Sequence, residues 1–219
     1  MKRVELLAPA KDLAIGIAAI NHGADAVYIG APAFGARKAA ANSLEDIARL
    51  VAYAHRFYCR VFVTLNTLLY DYELKEAEKL IWQLYEVGVD ALIVQDLGLL
   101  RLNLPPICLH ASTQMHNYEL ERIRFIEQLG FQRIVLAREL SLEEIRKIRE
   151  TVKCELEVFV HGALCVSLSG QCYLSQYMFR RSANRGECAQ PCRMKWSVRD
   201  AVGKDVIKEE CVAICNTLF

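Results

Sequence analysis

The sequence predicts an α/β fold of the TIM-barrel type, in which parallel strands and helices alternate around a common axis. Short apolar runs rich in β-branched residues alternate with helical stretches along the 219-residue chain. Glycine recurs where a helix ends and the next strand begins. Near-continuous apolar strands joined by helices are typical of a parallel sheet covered on both faces. A doubly wound sheet is the alternative that fits the same pattern.

Seven apolar runs are predicted to be strands, one fewer than a closed eight-stranded barrel needs. They cover residues 4–8, 26–30, 61–66, 91–96, 107–113, 133–139 and 156–162. An open barrel of seven strands leaves two unpaired edges. The alternating stretch after residue 193, which turns at Val202-Gly203, predicts a β-hairpin.

Capping signals support the intervening helices. Ser43 precedes a helical stretch with two acids in its first turn, and Ser141 with Glu144 forms a capping box. Three glycines are predicted to adopt positive φ where helices end, namely Gly23, Gly88 and Gly130.

The composition is that of an ordinary globular protein, with 53% hydrophobic and 24% charged residues and a net charge of +1. The amino terminus turns charged too soon for a signal peptide, and we expect a cytoplasmic protein with no membrane span. Nine cysteines in a reducing compartment favour metal ligation or reactive thiols over disulfides.

Four of these cysteines lie close together in the sequence. Six residues separate Cys165 from Cys172, fifteen separate Cys172 from Cys188, and three separate Cys188 from Cys192. Thiolates at such spacings can converge on one soft metal centre, which leaves an iron–sulfur cluster and structural zinc both open.

The same part of the chain is basic. Residues 176–199 carry six arginine or lysine residues and one glutamate. Such a patch can bind a phosphate backbone or an anionic substrate, and a solvated loop is the alternative. Four of its basic residues are Arg180, Arg181, Arg185 and Arg193.

Polar residues follow the predicted strands, where barrel proteins place their sites. We expect catalytic roles for Asp96, Arg138, Glu139 and His161. We expect substrate contacts from Tyr28, Arg37, Asn66, His110 and Gln114.

Each of these side chains also has a structural alternative. Asp96 and Glu139 can cap helices, and Arg138-Glu139 can form an internal ion pair. His161 can hydrogen-bond to backbone or support a metal ligand. Arg37 can hold an anion or lie on the surface.

Several motifs resemble the collagenase-like peptidases, peptidase family U32. They are ELLAPA (5–10), HGADAVYIG (22–30), GVDALIVQD (88–96), LHASTQ (109–114), VLARELSLEEI (135–145), FVHGALCVSLSGQCYLS (159–175) and RSANRGECAQPCR (181–193). The segments at 34–37, 61–69 and 105–114 are most similar to the branch that hydroxylates C5 of a cytidine in large-subunit ribosomal RNA. Sister branches act on a tRNA wobble uridine or in ubiquinone hydroxylation.

The resemblance implies a barrel-like amino-terminal domain and a 4Fe–4S cluster on Cys165, Cys172, Cys188 and Cys192. It also implies a hydroxyl donor derived from prephenate, and RNA, above all ribosomal RNA, as partner. We then expect Arg180, Arg181, Arg185 and Arg193 to contact the RNA phosphates. The resemblance leaves the electron donor and the oligomeric state open.

We expect a barrel-like domain at residues 1–162, a cluster-binding segment at 163–193, and a hairpin with an atypical tail at 194–219. Family members continue with segments that this chain lacks, so we expect a truncated or frameshifted version, which could be an inactive remnant. A peptidase with Cys165 or Ser167 as nucleophile is the alternative function.

Overall fold

Seven parallel strands form the main sheet of the computed structural model, which describes residues 4–37, 40–163 and 165–210. The strands are hydrogen-bonded in chain order, so the sheet has no point at which the strand order reverses. A doubly wound sheet requires such a reversal, and the barrel-type prediction is therefore confirmed. The strands are β1 Leu7–Ala10, β2 Ala26–Gly30, β3 Arg60–Leu65, β4 Ala91–Val94, β5 Cys108–Ala111, β6 Arg133–Val135 and β7 Glu155–Glu157.

The observed strands are mostly shorter than the predicted ones. The first begins at Leu7 rather than residue 4. The Leu6 N–H before it donates to the Asp25 carboxylate at 2.9 Å. The seventh ends at Glu157 rather than residue 162. Strands β4, β5 and β6 also end early, because the polar residues that follow them form caps and loop contacts described below.

Helices alternate with the strands as predicted. They are α1 Leu13–Asn21, α2 Leu44–His55, α3 Leu74–Glu86, α4 Leu120–Gln128, α5 Leu142–Thr151 and α6 Leu174–Phe179. A 3₁₀ helix, Leu97–Arg101, replaces an α-helix between β4 and β5. Within the described residues, no helix is long and apolar enough to cross a membrane.

The local signals for helix ends are confirmed. The Ser43 hydroxyl accepts from the Asp46 N–H at 3.0 Å, and Ser141 with Glu144 makes both bonds of a capping box. The three helix-ending glycines have φ values of 95°, 85° and 93°, in the order Gly23, Gly88 and Gly130.

Two cores lie on the two faces of the sheet. The larger core packs alternate strand residues, such as Val27, Val63 and Leu92, against the helices. The smaller core lies on the other face and consists of Ala26, Phe62, Ala91 and Ile93. The sheet curls around this inner face, since Glu5 before β1 reaches Arg133 on β6 and bonds to it at 2.6 Å.

The predicted hairpin is also present. Its strands are β8 Trp196–Arg199 and β9 Asp205–Glu210, which pair antiparallel. Gly203 lies in the turn with φ +83°. The proposed atypical tail, with Cys211 and Cys215, lies outside the described residues, and the predicted domain boundaries stay a prediction.

Candidate functional site at the carboxyl ends of the strands

The inner face of the sheet carries a buried charged cluster nearer the amino ends of the strands, where Arg133 begins β6 and Glu155 begins β7. Arg133, with 6% of its side chain exposed, pairs with Glu5 at 2.6 Å, Glu155 at 2.5 Å and Glu157 at 3.4 Å. Its guanidinium also lies over the Phe62 ring, 5.1 Å from the centroid. Barrel interiors are usually filled by branched apolar residues, so a buried cluster of charged side chains is unusual for such an interior.

Sequence reasoning missed the cluster. Arg133 opens an apolar run, and its partners lie up to 128 positions away in the chain. The signal was the alternation of Glu155 and Glu157 in β7, which places both carboxylates on one face of the strand.

His110 lies within this inner face and is held neutral. It is only 4% exposed and packs edge-on against Phe62, with ring centroids 4.7 Å apart. Burial, followed by the positive charges of Arg133 and Arg60, lowers the pKa of His110 to about 3. The imidazole can therefore donate from one nitrogen and accept at the other, but it is no cation at neutral pH.

The pKa values of two further side chains, Tyr28 and Glu157, are shifted. Burial and the Glu157 charge raise the pKa of Tyr28, while Arg37 opposes that shift. Burial also raises the pKa of Glu157, and Arg133 partly offsets it. The interior thus presents a neutral phenol next to a carboxyl that is harder to ionise than usual.

Three polar atoms lack a partner within the described part of the chain, and all belong to side chains more than nine-tenths buried. They are Gln95 Oε1, His110 Nδ1 and Asn117 Oδ1. A buried polar atom without a hydrogen bond costs about 1–3 kcal/mol. Gln95 Oε1 can accept a hydrogen bond, and His110 Nδ1 can donate or accept one according to its tautomer.

The mouth of the barrel is cross-linked by Asn66. Its Oδ1 accepts from the Ala36 N–H at 2.8 Å, and its Nδ2 donates to the Ser112 hydroxyl at 3.3 Å. Gln95 donates from Nε2 to the Gln114 carbonyl at 3.2 Å. These carboxamides hold together the segments that follow β2, β3, β4 and β5. Some of the polar atoms predicted to bind substrate are therefore already hydrogen-bonded within the protein.

The loop between Cys165 and Cys172 is anchored on the same rim. The N–H and hydroxyl of Ser169 both donate to the Glu139 carboxylate, and the Arg138 guanidinium donates to that hydroxyl at 3.3 Å. His116 bonds to the Ser169 carbonyl at 3.1 Å. Arg138 and Glu139, for which we expected catalysis, thus bind the cysteine loop.

Gly170 makes the closest contact of this loop. Its φ is +73°, and a Cβ at this position would lie 1.9 Å from the Gln114 carbonyl oxygen. No sequence pattern predicts this contact, because Gly170 and Gln114 lie in different loops. The backbone of the cysteine loop therefore lies directly on the segment that follows β5.

Asp96 acts as a cap. Its Oδ1 accepts from the Gly98 N–H at 2.7 Å, and its Oδ2 accepts from the Leu69 N–H at 2.8 Å. This is the capping alternative for Asp96, and both oxygens are engaged. His161 is exposed and makes no hydrogen bond within the described residues, while exposed Arg37 donates to the Ala36 carbonyl at 3.2 Å.

The basic segment contains one strongly bound arginine. Arg185 forms a bidentate pair with Glu73, at 2.6 and 2.9 Å, and also donates to the Leu68 carbonyl at 2.7 Å. It therefore joins the loop after β3 to the cysteine-rich segment, and its predicted RNA contact stays a prediction. Arg180, Arg181 and Arg193 are exposed.

The four predicted metal ligands are thiols, with Cys165 exposed and Cys172, Cys188 and Cys192 partly buried. Ser175 accepts from the Ala189 N–H at 2.8 Å, which brings the start of α6 next to Cys188. Within the described ranges, no three His, Cys, Asp or Glu side chains gather closely enough for one metal ion. Four thiols are a ligand set that structural zinc and a 4Fe–4S cluster both take, so the chemistry of the donors fits either group.

The fold and site together define a β/α-barrel-type protein with a cysteine-rich loop fixed on the carboxyl rim. The model of peptidase family U32 matches residues 11–213, and the chain belongs to this family.

Two curated relatives and one solved structure support this assignment. The chain is 56% identical over 208 residues to the 23S rRNA 5-hydroxycytidine C2501 synthase of Escherichia coli, covering 95% of this chain and 32% of the relative. It is 37% identical over 225 residues to the tRNA hydroxylation protein P of Escherichia coli, covering 99% of this chain and 50% of the relative. The structure of a U32 peptidase has the same fold, with a TM-score of 0.60 at 17% identity over 72% of this chain and 70% of that one. The chain thus spans between a third and a half of these curated relatives.

Proposed function

We propose that this chain serves in the hydroxylation of pyrimidine C5 in RNA, with a cytidine of large-subunit ribosomal RNA as the target. The observation that carries the proposal is the 56% identity to the Escherichia coli 5-hydroxycytidine synthase over 95% of the chain. The tRNA hydroxylation relative, at 37% identity, makes a tRNA uridine the second choice. We place the reaction in the cytoplasm.

A 4Fe–4S cluster on Cys165, Cys172, Cys188 and Cys192 would supply one-electron chemistry when bound. The chain's own part is to position the loop that carries two of these thiols. Glu139, Arg138 and His116 bind Ser169 and thereby fix that loop over the barrel mouth.

The inner face supplies the pocket for a small hydroxyl donor, which the family resemblance links to prephenate. Neutral His110 and Gln95 offer unpaired buried polar atoms, and Tyr28 offers a phenol that stays protonated. These groups can orient a polar ligand by hydrogen bonds without competing for its protons. Exposed Arg37, whose charge acts on Tyr28, can face an anionic group at the mouth.

A chimera tests this function. The matching third of the Escherichia coli synthase is replaced by this chain, and the chimera is expressed in a strain that lacks the synthase. Mass spectrometry of 23S rRNA should then detect 5-hydroxycytidine, and a chimera with Cys188→Ala should give none. A chimera that accumulates normally but leaves the cytidine unmodified overturns the proposal.

The family name favours a peptidase as the second candidate. The Ser167 hydroxyl donates to the Leu168 carbonyl at 3.3 Å, and no histidine lies within hydrogen-bond reach of Ser167 or Cys165 in the described part of the chain. A neighbouring base is the usual way to activate a serine or cysteine nucleophile. Gelatin cleavage that is lost in Cys165→Ala or Ser167→Ala would favour the peptidase, and cleavage unchanged in both excludes these nucleophiles.

A further inference from the structure

Two exposed tyrosines form a stack on the carboxyl rim. Tyr70 is 52% exposed and Tyr72 is 79% exposed. Their rings are nearly parallel, with an interplanar angle of 19° and centroids 5.4 Å apart. Large aromatic side chains in water expose apolar surface at a cost, so a rigid exposed pair indicates an interaction site.

The Tyr70 side of the stack is held in place by Arg185 and Glu73. Arg185 lies over the Tyr70 ring at 4.3 Å from its centroid and pairs with Glu73 through two bonds. The Glu73 carboxylate also accepts from the Tyr70 N–H at 2.7 Å. The Tyr70 backbone is thus fixed before any ligand binds, which lowers the entropy cost of binding.

Two further bonds attach this loop to its surroundings. The Leu69 N–H donates to Asp96 at 2.8 Å, and the Leu68 N–H donates to the Asn184 carbonyl at 3.1 Å. Asn184 precedes Cys188 by four positions, so the tyrosine stack lies beside the cysteine-rich segment. A cleft of about 220 Å³ adjoins the loop and is lined in part by Phe34, Arg37, Glu73 and Arg185.

We propose that Tyr70 and Tyr72 form a stacking platform for an unpaired RNA nucleotide next to the target base. The inference rests on the proposed RNA function and names the form of RNA the site would accept. Enzymes that modify a base must take it out of the duplex stack, and proteins bind splayed nucleotides by stacking them on aromatic rings. Tyr72, the more exposed ring, offers the open surface.

The charges around the platform favour stacking over phosphate binding at this point. Glu73 is neutralised by Arg185, and Asp71 adds a negative charge between the two tyrosines. Exposed Arg180 and Arg181, after α6, are left for the phosphate backbone. The platform contact should therefore depend little on salt, whereas the arginine contacts should depend strongly on it.

The test measures binding of a fluorescein-labelled single-stranded RNA, about twelve nucleotides long and cytidine-containing, to the 219-residue chain by anisotropy at two salt concentrations. A hairpin of the same composition is the second probe. Tyr72→Ala should weaken single-strand binding about 5- to 10-fold, since one base stack is lost. It should leave hairpin-stem binding and the salt slope unchanged, and Tyr72→Phe, which keeps the ring, should bind like the parent.

Tyr58 provides the matched control. It is 96% exposed and follows α2, at the opposite end of the strands. Tyr58→Ala should bind single-stranded RNA like the parent, and thermal melts should verify that all variants are folded. Arg180→Ala with Arg181→Ala should lower both affinity and salt slope.

The outcomes separate the two proposals. Equal single-strand affinity of the parent and Tyr72→Ala overturns the platform, as does a parent that binds no single-stranded RNA. An equal loss of hairpin-stem binding in Tyr72→Ala also overturns it. A chimera that fails to modify the rRNA while Tyr72→Ala weakens binding overturns the proposed hydroxylation and leaves the platform supported.

Discussion

Ser169 donates two hydrogen bonds to the Glu139 carboxylate, one from its N–H and one from its hydroxyl. The bonds join the end of the β6 segment to the loop between Cys165 and Cys172. Ser169 is fully buried although the residues around it are polar or exposed. The position of the cysteine loop is thus set by the barrel rim.

Gly170→Ala should displace this loop. The added Cβ would lie 1.9 Å from the Gln114 carbonyl oxygen, and alanine at φ +73° adds a strain of about 1–2 kcal/mol. We expect faster proteolysis within residues 165–172 and a lower melting temperature.

Gly203→Ala is the control for this change. Its φ is +83°, but a Cβ there meets nothing within 4 Å. This variant should show the strain alone and leave proteolysis of the cysteine loop unchanged. If both variants behave alike, the contact with Gln114 does not hold the loop.

Arg133→Met should strongly destabilise the fold. It removes a buried cation, leaves Glu157 without its partner and leaves Glu5 with Arg60 alone, at a cost of about 3–5 kcal/mol. Arg133→Lys keeps the positive charge but loses the planar guanidinium. Its free energy of unfolding should therefore lie between those of the parent and Arg133→Met. Urea unfolding measures both losses.

The control for Arg133 is a surface pair. Arg124→Ala removes a bond of 3.0 Å to Glu121, in which both side chains are about half or more exposed. Such pairs contribute about 0–1 kcal/mol. Equal losses for Arg124→Ala and Arg133→Met would mean that the buried cluster contributes no more than a surface pair.

The sequence predicted what depends on local signals. Seven strands in chain order, the Ser141 cap and the turn at Gly203 follow from short-range patterns, and all three are present. The charged interior depends instead on Glu5 and Arg133, which are 128 positions apart. No periodicity within either segment reports on such a contact.

The candidate site shows the same difference between features that local sequence patterns predict and features that depend on distant contacts. That polar side chains would line the strand ends was predictable, because barrels bring those ends together. Their individual roles were not, since Asp96 and Arg185 are engaged by partners in other loops, Leu69 and Glu73. A polar side chain at the strand ends remains available to a ligand only where it is not already hydrogen-bonded to another loop.

His110 should make stability depend on acid pH. Its folded pKa, about 3, lies below the ordinary value of 6.5, so the unfolded chain binds the proton more tightly. This contribution is complete above pH 6.5 and is lost as the pH falls toward 3, with a slope of at most about 1.4 kcal/mol per pH unit. The pKa of Glu157 is raised from its ordinary value of 4.5, so its contribution to stability has the opposite pH dependence. It is complete below pH 4.5 and is lost as the pH rises above that value.

His110→Phe isolates this effect. Phenylalanine keeps a ring against Phe62 and has no proton to bind. Melting temperatures measured from pH 4 to pH 7 should rise more steeply for the parent than for the variant. Parallel curves would show that His110 is not held neutral by the fold.

Iron analysis of anaerobically purified protein should find about four iron per chain, as one 4Fe–4S cluster requires. Cys188→Ala should lower the iron content, because it removes one of the four thiols proposed to hold the cluster. Cys108→Ala is the control, since Cys108 is exposed in β5, outside the cysteine-rich segment. Zinc in place of iron, or equal iron in the two variants, would contradict the cluster. Gly170→Ala should also lose iron if the rim positions the thiols, since Gly170 supplies no ligand and acts only through the loop's contact with Gln114.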